Sequence, residues 1–269
     1  MFLHALNTAA LGTATLFVLL ALWRIAYSLS DWAVLALLAM AALLFLSHVR
    51  MVGAMYRARL QVMIRGESPL ATILTGQLKA ILTAFCFAVA AVPVLAWQAL
   101  RADWPEAFSL TMLSLLAGLV LSWAQSRMRK HVHQAFVDPP AAALATWLVA
   151  LPVIVLLGWV QYNYVAFPGE IRAAANVEAA AMFGIDQALP ARRGWIAECL
   201  APLAAWEAAK LWFITRDNMP PIVPLLFVVE AALVGFVVAR AGVLATLFFQ
   251  QRLGPKPLRA SNANQETVQ

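Results

Sequence analysis

Long uninterrupted apolar runs dominate the chain, and polar residues cluster in the shorter stretches between them. Several runs reach the ~18 apolar residues expected of a helix that crosses a bilayer. The runs do not alternate apolar and polar side chains, as the strands of a membrane barrel would. A helix satisfies its own backbone hydrogen bonds in lipid. The pattern therefore predicts six transmembrane helices, at about residues 8–28, 32–49, 80–99, 108–126, 141–164 and 220–249.

Composition points to the same class of protein. Of the 269 residues, 63% are hydrophobic and 12% are charged, whereas soluble domains are about 45–50% apolar and about 25% charged. We therefore expect an all-α, polytopic integral membrane protein whose six transmembrane helices form three hairpins. Residues 1–251 would form a single transmembrane domain, and residues 252–269 a flexible cytoplasmic tail.

The basic residues predict an orientation, because the cytoplasmic loops of membrane proteins are rich in Lys and Arg. The stretches after the second, fourth and sixth helices are basic, whereas the loop 165–219 is near neutral. Trp23, Tyr27, Trp32 and Trp104 fall at the proposed outer ends, and aromatic residues favour the membrane–water boundary. We expect both termini in the cytoplasm and the loop outside. Small size and an Ala-, Trp- and Arg-rich composition favour a bacterial inner membrane.

Two basic segments are candidate contacts for lipid headgroups or for cytoplasmic proteins. One continues the second helix, and the other follows the fourth helix. Each basic side chain near anionic headgroups contributes about 1 kcal/mol to membrane binding. Two interpretations stay open: an anchor that only sets the orientation, or a docking surface for a cytoplasmic partner. The residues are Arg50, Arg57, Arg59, Arg65, Arg127, Arg129 and Lys130.

The loop 165–219 is too long for a simple turn, and much of it has helical composition. Its second half is rich in Trp and Leu but also holds Glu198, Glu207 and Lys210. These charges argue against a further complete span. An extracytoplasmic helix over 195–213 that rests on the outer leaflet fits this composition, and a re-entrant helix that lines a cavity is the alternative.

A short pattern in this loop was compared with a known family. The stretch EAAAMFG (178–184) is similar to the start of the E-A-A-x-x-x-G signature of binding-protein-dependent ABC permeases. The Ile-x-Leu-Pro part of that signature is absent, because Gly194, Ile196 and Ala197 stand in its place. The family's loop also faces a cytoplasmic ATPase, whereas this loop is predicted outside. We interpret the match as chance and assign no family.

The last predicted span carries two charges, Glu230 and Arg240. Ten residues of helix separate them by about 15 Å, too far for a direct ion pair. Because an unpaired charge at the bilayer centre costs at least about 2.5 kcal/mol, each should face other helices or water. Arg24 lies at a similar depth, and we predict that it pairs with Glu230. Gln125, Ser122 or a backbone carbonyl could satisfy Arg240, or its side chain could extend toward the inner membrane surface. The network could hold helices together or form a path for a polar solute.

No pattern indicates catalysis. The four histidines form no haem or metal site, no catalytic residues are assigned, and no cofactor or metal is expected. We expect a non-catalytic membrane component of a transport or secretion assembly. Its partners would be the lipid bilayer and other membrane or cytoplasmic proteins or further copies of itself, without direct nucleic-acid binding. The alternatives are a stand-alone permease for small solutes or ions and a membrane-embedded enzyme that modifies lipids.

Overall fold

The computed structural model describes residues 2–63, 77–133, 136–164, 169–187, 194–214 and 222–253. All regular secondary structure in these ranges is helical. A short 3₁₀ turn, Asp31–Ala33, joins the first two α-helices. The α-helices are α1 (Phe2–Tyr27), α2 (Val34–Met63), α3 (Gln77–Arg101), α4 (Trp104–Met128), α5 (Asp138–Tyr164), α6 (Gly169–Ala173), α7 (Val177–Gln187), α8 (Trp195–Ile214) and α9 (Ile222–Leu253).

Six helices, α1 to α5 and α9, are long and apolar enough to span a membrane. The prediction of six such helices is confirmed, and most of them extend a turn or more beyond the predicted ends. The extensions at the ends of α2 and α9 contain Arg, Gln and Leu, which favour helix. The three hairpins and the placement in a membrane stay predictions. The predicted tail overlaps the end of α9, and residues 254–269 lie outside the described part of the chain.

Helix α9 lies at the centre of the bundle. Of its apolar window 67% is buried, against 33–39% for the other five long helices. It packs against α1, α2, α4 and α5. A helix in this position can carry charged residues because most of its surface faces other helices. The fold thereby accounts for two charges within the last apolar run.

Small residues bring α1 and α4 close to α9. A Cβ on Gly12 would lie 2.7 Å from the backbone nitrogen of Thr246, and a Cβ on Gly242 would lie 2.8 Å from the carbonyl oxygen of Ser114. Both distances are shorter than normal van der Waals contact. Glycine is therefore required at these two positions, and the helices meet backbone to backbone, as close-packed membrane helices do.

Helices α6 to α8, here called the helical cap, cover one end of the bundle. Ile196, Leu200 and Ala204 of α8 pack against Trp23 of α1 and Ala96 of α3. The predicted helix over 195–213 is therefore present, and it crosses the ends of two long helices. The opposite face of α8 exposes apolar side chains. The large exposed ones include Trp195, Leu203, Trp206 and Phe213.

Two aromatic residues that were assigned to the membrane boundary are buried instead. Trp23 and Tyr27 are fully enclosed under the helical cap. The Trp23 indole donates a hydrogen bond of 3.0 Å to the carbonyl of Ala96. Trp32 and Trp104, by contrast, are 76% and 84% exposed. The aromatic residues at this end thus include packing residues as well as surface residues.

Candidate functional site

Four charged side chains meet where the helical cap joins the bundle. Arg101 ends α3, Glu207 and Lys210 lie one turn apart on α8, and Glu230 lies in the third turn of α9. The Arg101 guanidinium is 2.5 Å from the Glu207 carboxylate and 3.2 Å from the Glu230 carboxylate. The Lys210 ammonium forms an ion pair with the second oxygen of Glu230. These four residues, called the charge cluster below, join three helices.

Lys210 is the most deeply buried member of the charge cluster, with 4% of its surface exposed. Its ammonium lies 4.4 Å from the centre of the Phe227 ring, a distance at which a cation interacts favourably with an aromatic face. A buried cation without a partner is strongly unfavourable. Lys210 therefore depends on Glu230 and Phe227.

Glu207 is buried beside the two cations. Burial raises the pKa of its carboxyl above the ordinary 4.5, and the negative charge of Glu230 raises it further. The positive charges of Arg101 and Lys210 and a hydrogen bond from Trp97 oppose this increase. Removing a carboxylate from water disfavours its charged form. The effect of burial on the Glu207 carboxyl thus exceeds the opposing effect of its two cationic neighbours.

The charge cluster is electrically balanced, with two cations and two carboxylates in contact. Each carboxylate has at least one cation within ion-pair distance, and Arg101 contacts both carboxylates. The residues come from α3, α8 and α9, so separating the cap from the bundle would expose unpaired buried charges. The arrangement therefore fastens the helical cap to the two long helices.

The structure does not bring Arg24 and Glu230 together. The Arg24 guanidinium donates hydrogen bonds to the backbone carbonyls of Ala99 and Ala102, at 3.3 and 2.6 Å. The last carbonyls of a helix have no partner within the helix and carry partial negative charge, so an arginine stabilises this terminus. The predicted Arg24–Glu230 pair is therefore wrong: Arg24 caps α3, and Arg101 and Lys210 pair with Glu230.

Arg240 lies deeper on α9, beside α2. Its charge acts on the imidazole of His48, and the His48 ring also packs against Phe87 of α3 at 5.6 Å. The two predicted partners of Arg240 are engaged elsewhere. Gln125 donates to Asp138 at 2.9 Å, and the Ser122 hydroxyl accepts a hydrogen bond from Gln250 at 3.1 Å. Arg240 and Glu230 thus belong to two separate polar regions of α9.

The predicted basic surface lies at the end of the bundle opposite the helical cap. Arg57 belongs to α2, and Arg65 lies outside the described residues. Lys79 of α3 packs over the Tyr56 ring at 5.2 Å, which places the end of α2 beside the start of α3. Of the predicted basic residues, the structure shows these as exposed: Arg50, Arg59, Arg127, Arg129 and Lys130.

Three residues of the charge cluster were not predicted as site residues. Arg101 lies just beyond the predicted end of the third span, whereas Arg24 lies within the first span. A choice between the two arginines required knowing which helices are neighbours. Glu207 and Lys210 are three residues apart, and residues at this spacing share a helix face. Opposite charges at that spacing in an otherwise apolar helix were the available signal.

Among the described residues, no group of three or more His, Cys, Asp or Glu side chains is placed to hold a metal ion. No protein-family model, curated protein or solved structure matches the chain in these comparisons.

Proposed function

We propose that this chain is a non-catalytic, multi-spanning component of a transport or secretion assembly in a bacterial inner membrane. Both termini would face the cytoplasm, and the helical cap would lie outside. The observation that carries the proposal is the α8 helix, which is apolar on both faces. One face packs on the bundle, and the other exposes Trp195, Leu203 and Trp206.

An exposed aromatic face on a fixed helix suits recognition of another protein. Tryptophan is enriched among the residues that dominate binding energy at interfaces. The charge cluster holds α8 in place through Glu207 and Lys210, so the exposed face is presented without a large ordering cost on binding. The basic residues at the other end would contact cytoplasmic partners or anionic headgroups.

The charge cluster also favours this function over the alternative of a stand-alone permease. In a permease, Glu230 would be the carboxylate expected to bind a cation or proton. Here both of its oxygens already contact Arg101 and Lys210. A carboxylate whose two oxygens are already paired is better suited to hold the helical cap on the bundle than to bind a passing solute.

Site-specific photocrosslinking in living cells tests the proposal. A photoreactive phenylalanine analogue at position 206 should give protein adducts of defined mass. The matched control is the same substitution at Phe85, which is exposed on the side of α3 and should give lipid adducts. Lipid adducts alone at position 206 would contradict the docking role. Solute uptake by the purified chain in liposomes, lost on Glu230→Gln, would instead establish the permease.

A further inference from the structure

An apolar cavity of about 190 Å³ lies between α1, α3, α4 and α9, beside the cap end of the bundle. Leu16, Leu95, Leu110 and Val238 line its deep part, and Arg24 is among the residues that line it nearer the cap. An engineered cavity of about 150 Å³ with similar walls binds benzene. This cavity is therefore large enough to hold several carbons of an apolar chain.

The cavity is elongated along the helices. Arg24 and Leu16 both line it and are eight residues apart on α1, a distance of about 12 Å along a helix axis. On α4, Trp104 lies at the cap end and Leu110 lies deeper. The polar residues thus gather at one end and the apolar residues at the other. In a bilayer, a slot with this direction runs parallel to the lipid acyl chains.

The mouth of the cavity combines both signs of charge. Arg24 is exposed, and no carboxylate of the described residues is found within ion-pair distance of it. Asp103 is exposed and directly follows Ala102, whose carbonyl accepts a hydrogen bond from Arg24. Glu106 accepts a hydrogen bond of 2.6 Å from Gln98, which itself lines the cavity. Arg24 therefore lies at the entrance. The Glu106 carboxylate is held beside the entrance by Gln98, and the exposed Asp103 is next to the lining residue Ala102 in the chain.

We infer that the cavity binds one molecule of phosphatidylethanolamine. An acyl chain fills the apolar slot, the phosphate contacts the Arg24 guanidinium, and the ammonium group faces Asp103 and Glu106. Arginine binds phosphate through charge-assisted hydrogen bonds. An anionic headgroup such as phosphatidylglycerol would bring a net negative charge to two carboxylates, and phosphatidylcholine has no N–H to donate. This site rests on the proposed placement of the bundle in a membrane.

Native mass spectrometry of the full chain tests the site. The protein is reconstituted with equal amounts of phosphatidylethanolamine, phosphatidylglycerol and phosphatidylcholine that share the same acyl chains. We expect one retained phosphatidylethanolamine per chain. Arg24→Gln should lower its retention about tenfold, since one charge-assisted contact is lost, whereas Arg172→Gln, at an exposed residue of the cap helix α6, should not change it. Glu106→Gln should reduce the preference for phosphatidylethanolamine over phosphatidylglycerol.

Ala107→Phe provides a second variant, because this residue lines the cavity and a ring there would displace the acyl chain while leaving Arg24 in place. Equal retention of the three lipids, a preference for phosphatidylglycerol, or unchanged retention by Arg24→Gln would overturn the inference. Carbonate extraction of cell membranes separates the two proposals. A chain released by carbonate contradicts the membrane placement, whereas a chain that stays in the membrane but retains no phosphatidylethanolamine contradicts this site alone.

Discussion

Replacing Glu230 by glutamine should destabilise the fold more than any other neutralising substitution in the charge cluster. Lys210 has 4% of its surface exposed, and its described ion pair is with Glu230. Removing one partner of a buried ion pair costs about 3–5 kcal/mol, since the other charge stays buried. The Glu230 side chain is 24% exposed, so water can reach the site in part. We therefore expect a loss of about 2–3 kcal/mol.

A double-mutant cycle separates this pair from its surroundings. Lys210→Met in the Glu230→Gln background removes the stranded cation, and it should recover about 2 kcal/mol of the loss, or about 30-fold in the ratio of folded to unfolded protein. The matched control is the cycle between Arg24→Gln and Glu230→Gln. Arg24 contacts backbone carbonyls of α3, so these two substitutions should be additive within about 0.5 kcal/mol.

The free energy of unfolding can be measured by titrating the protein in mixed micelles with a denaturing detergent and following tryptophan fluorescence. Trp23 is fully buried beneath the helical cap, and its emission should report when the cap separates. A coupling energy between Lys210 and Glu230 below about 0.5 kcal/mol would refute the reasoning. A coupling between Arg24 and Glu230 as large as that of Lys210 would restore the pairing predicted from sequence.

Three further predictions test the packing, the electrostatics and the orientation. Gly12→Ala should destabilise the bundle by about 1–3 kcal/mol, because its Cβ would lie 2.7 Å from the Thr246 nitrogen. Gly53→Ala is the control: its Cβ would be 3.9 Å from the nearest atom, so it should be neutral or stabilising in the same unfolding assay. Burial raises the pKa of Glu207 above 4.5, so the native state holds this proton more tightly than the unfolded state does. Stability should therefore fall as the pH rises from 4.5 through the folded pKa. Glu207→Gln should flatten this pH dependence of stability, and an unchanged pH dependence would count against the raised pKa of Glu207. The Cys86→Ala variant retains the exposed Cys199 of α8 and should react with a membrane-impermeant maleimide in cells whose inner membrane is intact. The Cys199→Ala variant retains Cys86 within α3 and should not react. Labelling of Cys199 only after the inner membrane is permeabilised would reverse the proposed orientation.

The sequence was sufficient to predict the six long helices, because each apolar run carries its own signal in length and composition. It also predicted the helix over 195–213, which the structure places at Trp195–Ile214. The neighbours of these helices could not be predicted in the same way. Arg101 and Glu230 are 129 positions apart, and their contact depends on how α3 and α9 are rotated against each other. Charge and predicted depth favoured Arg24, which lies within a predicted span, over Arg101, which lies beyond one.

The helical cap shows a second limit of sequence reasoning. Glu207 and Lys210 were interpreted as charges that argue against a further complete span. Their ion pairs with Arg101 and Glu230 require partners from two other helices. Trp23 and Tyr27 were likewise assigned to the boundary, but α8 covers them. A residue near the end of a span is exposed only when no other segment folds over it.

The central position of α9 has a consequence for biosynthesis. This helix follows the other five long helices in the chain, yet α1, α2, α4 and α5 all pack against it. At translation rates of about 5–20 residues per second, the interval between the emergence of α1 and that of α9 is roughly ten to forty seconds. During that time the earlier helices lack the surface that organises them. The native arrangement can therefore form only once the ribosome has delivered this segment.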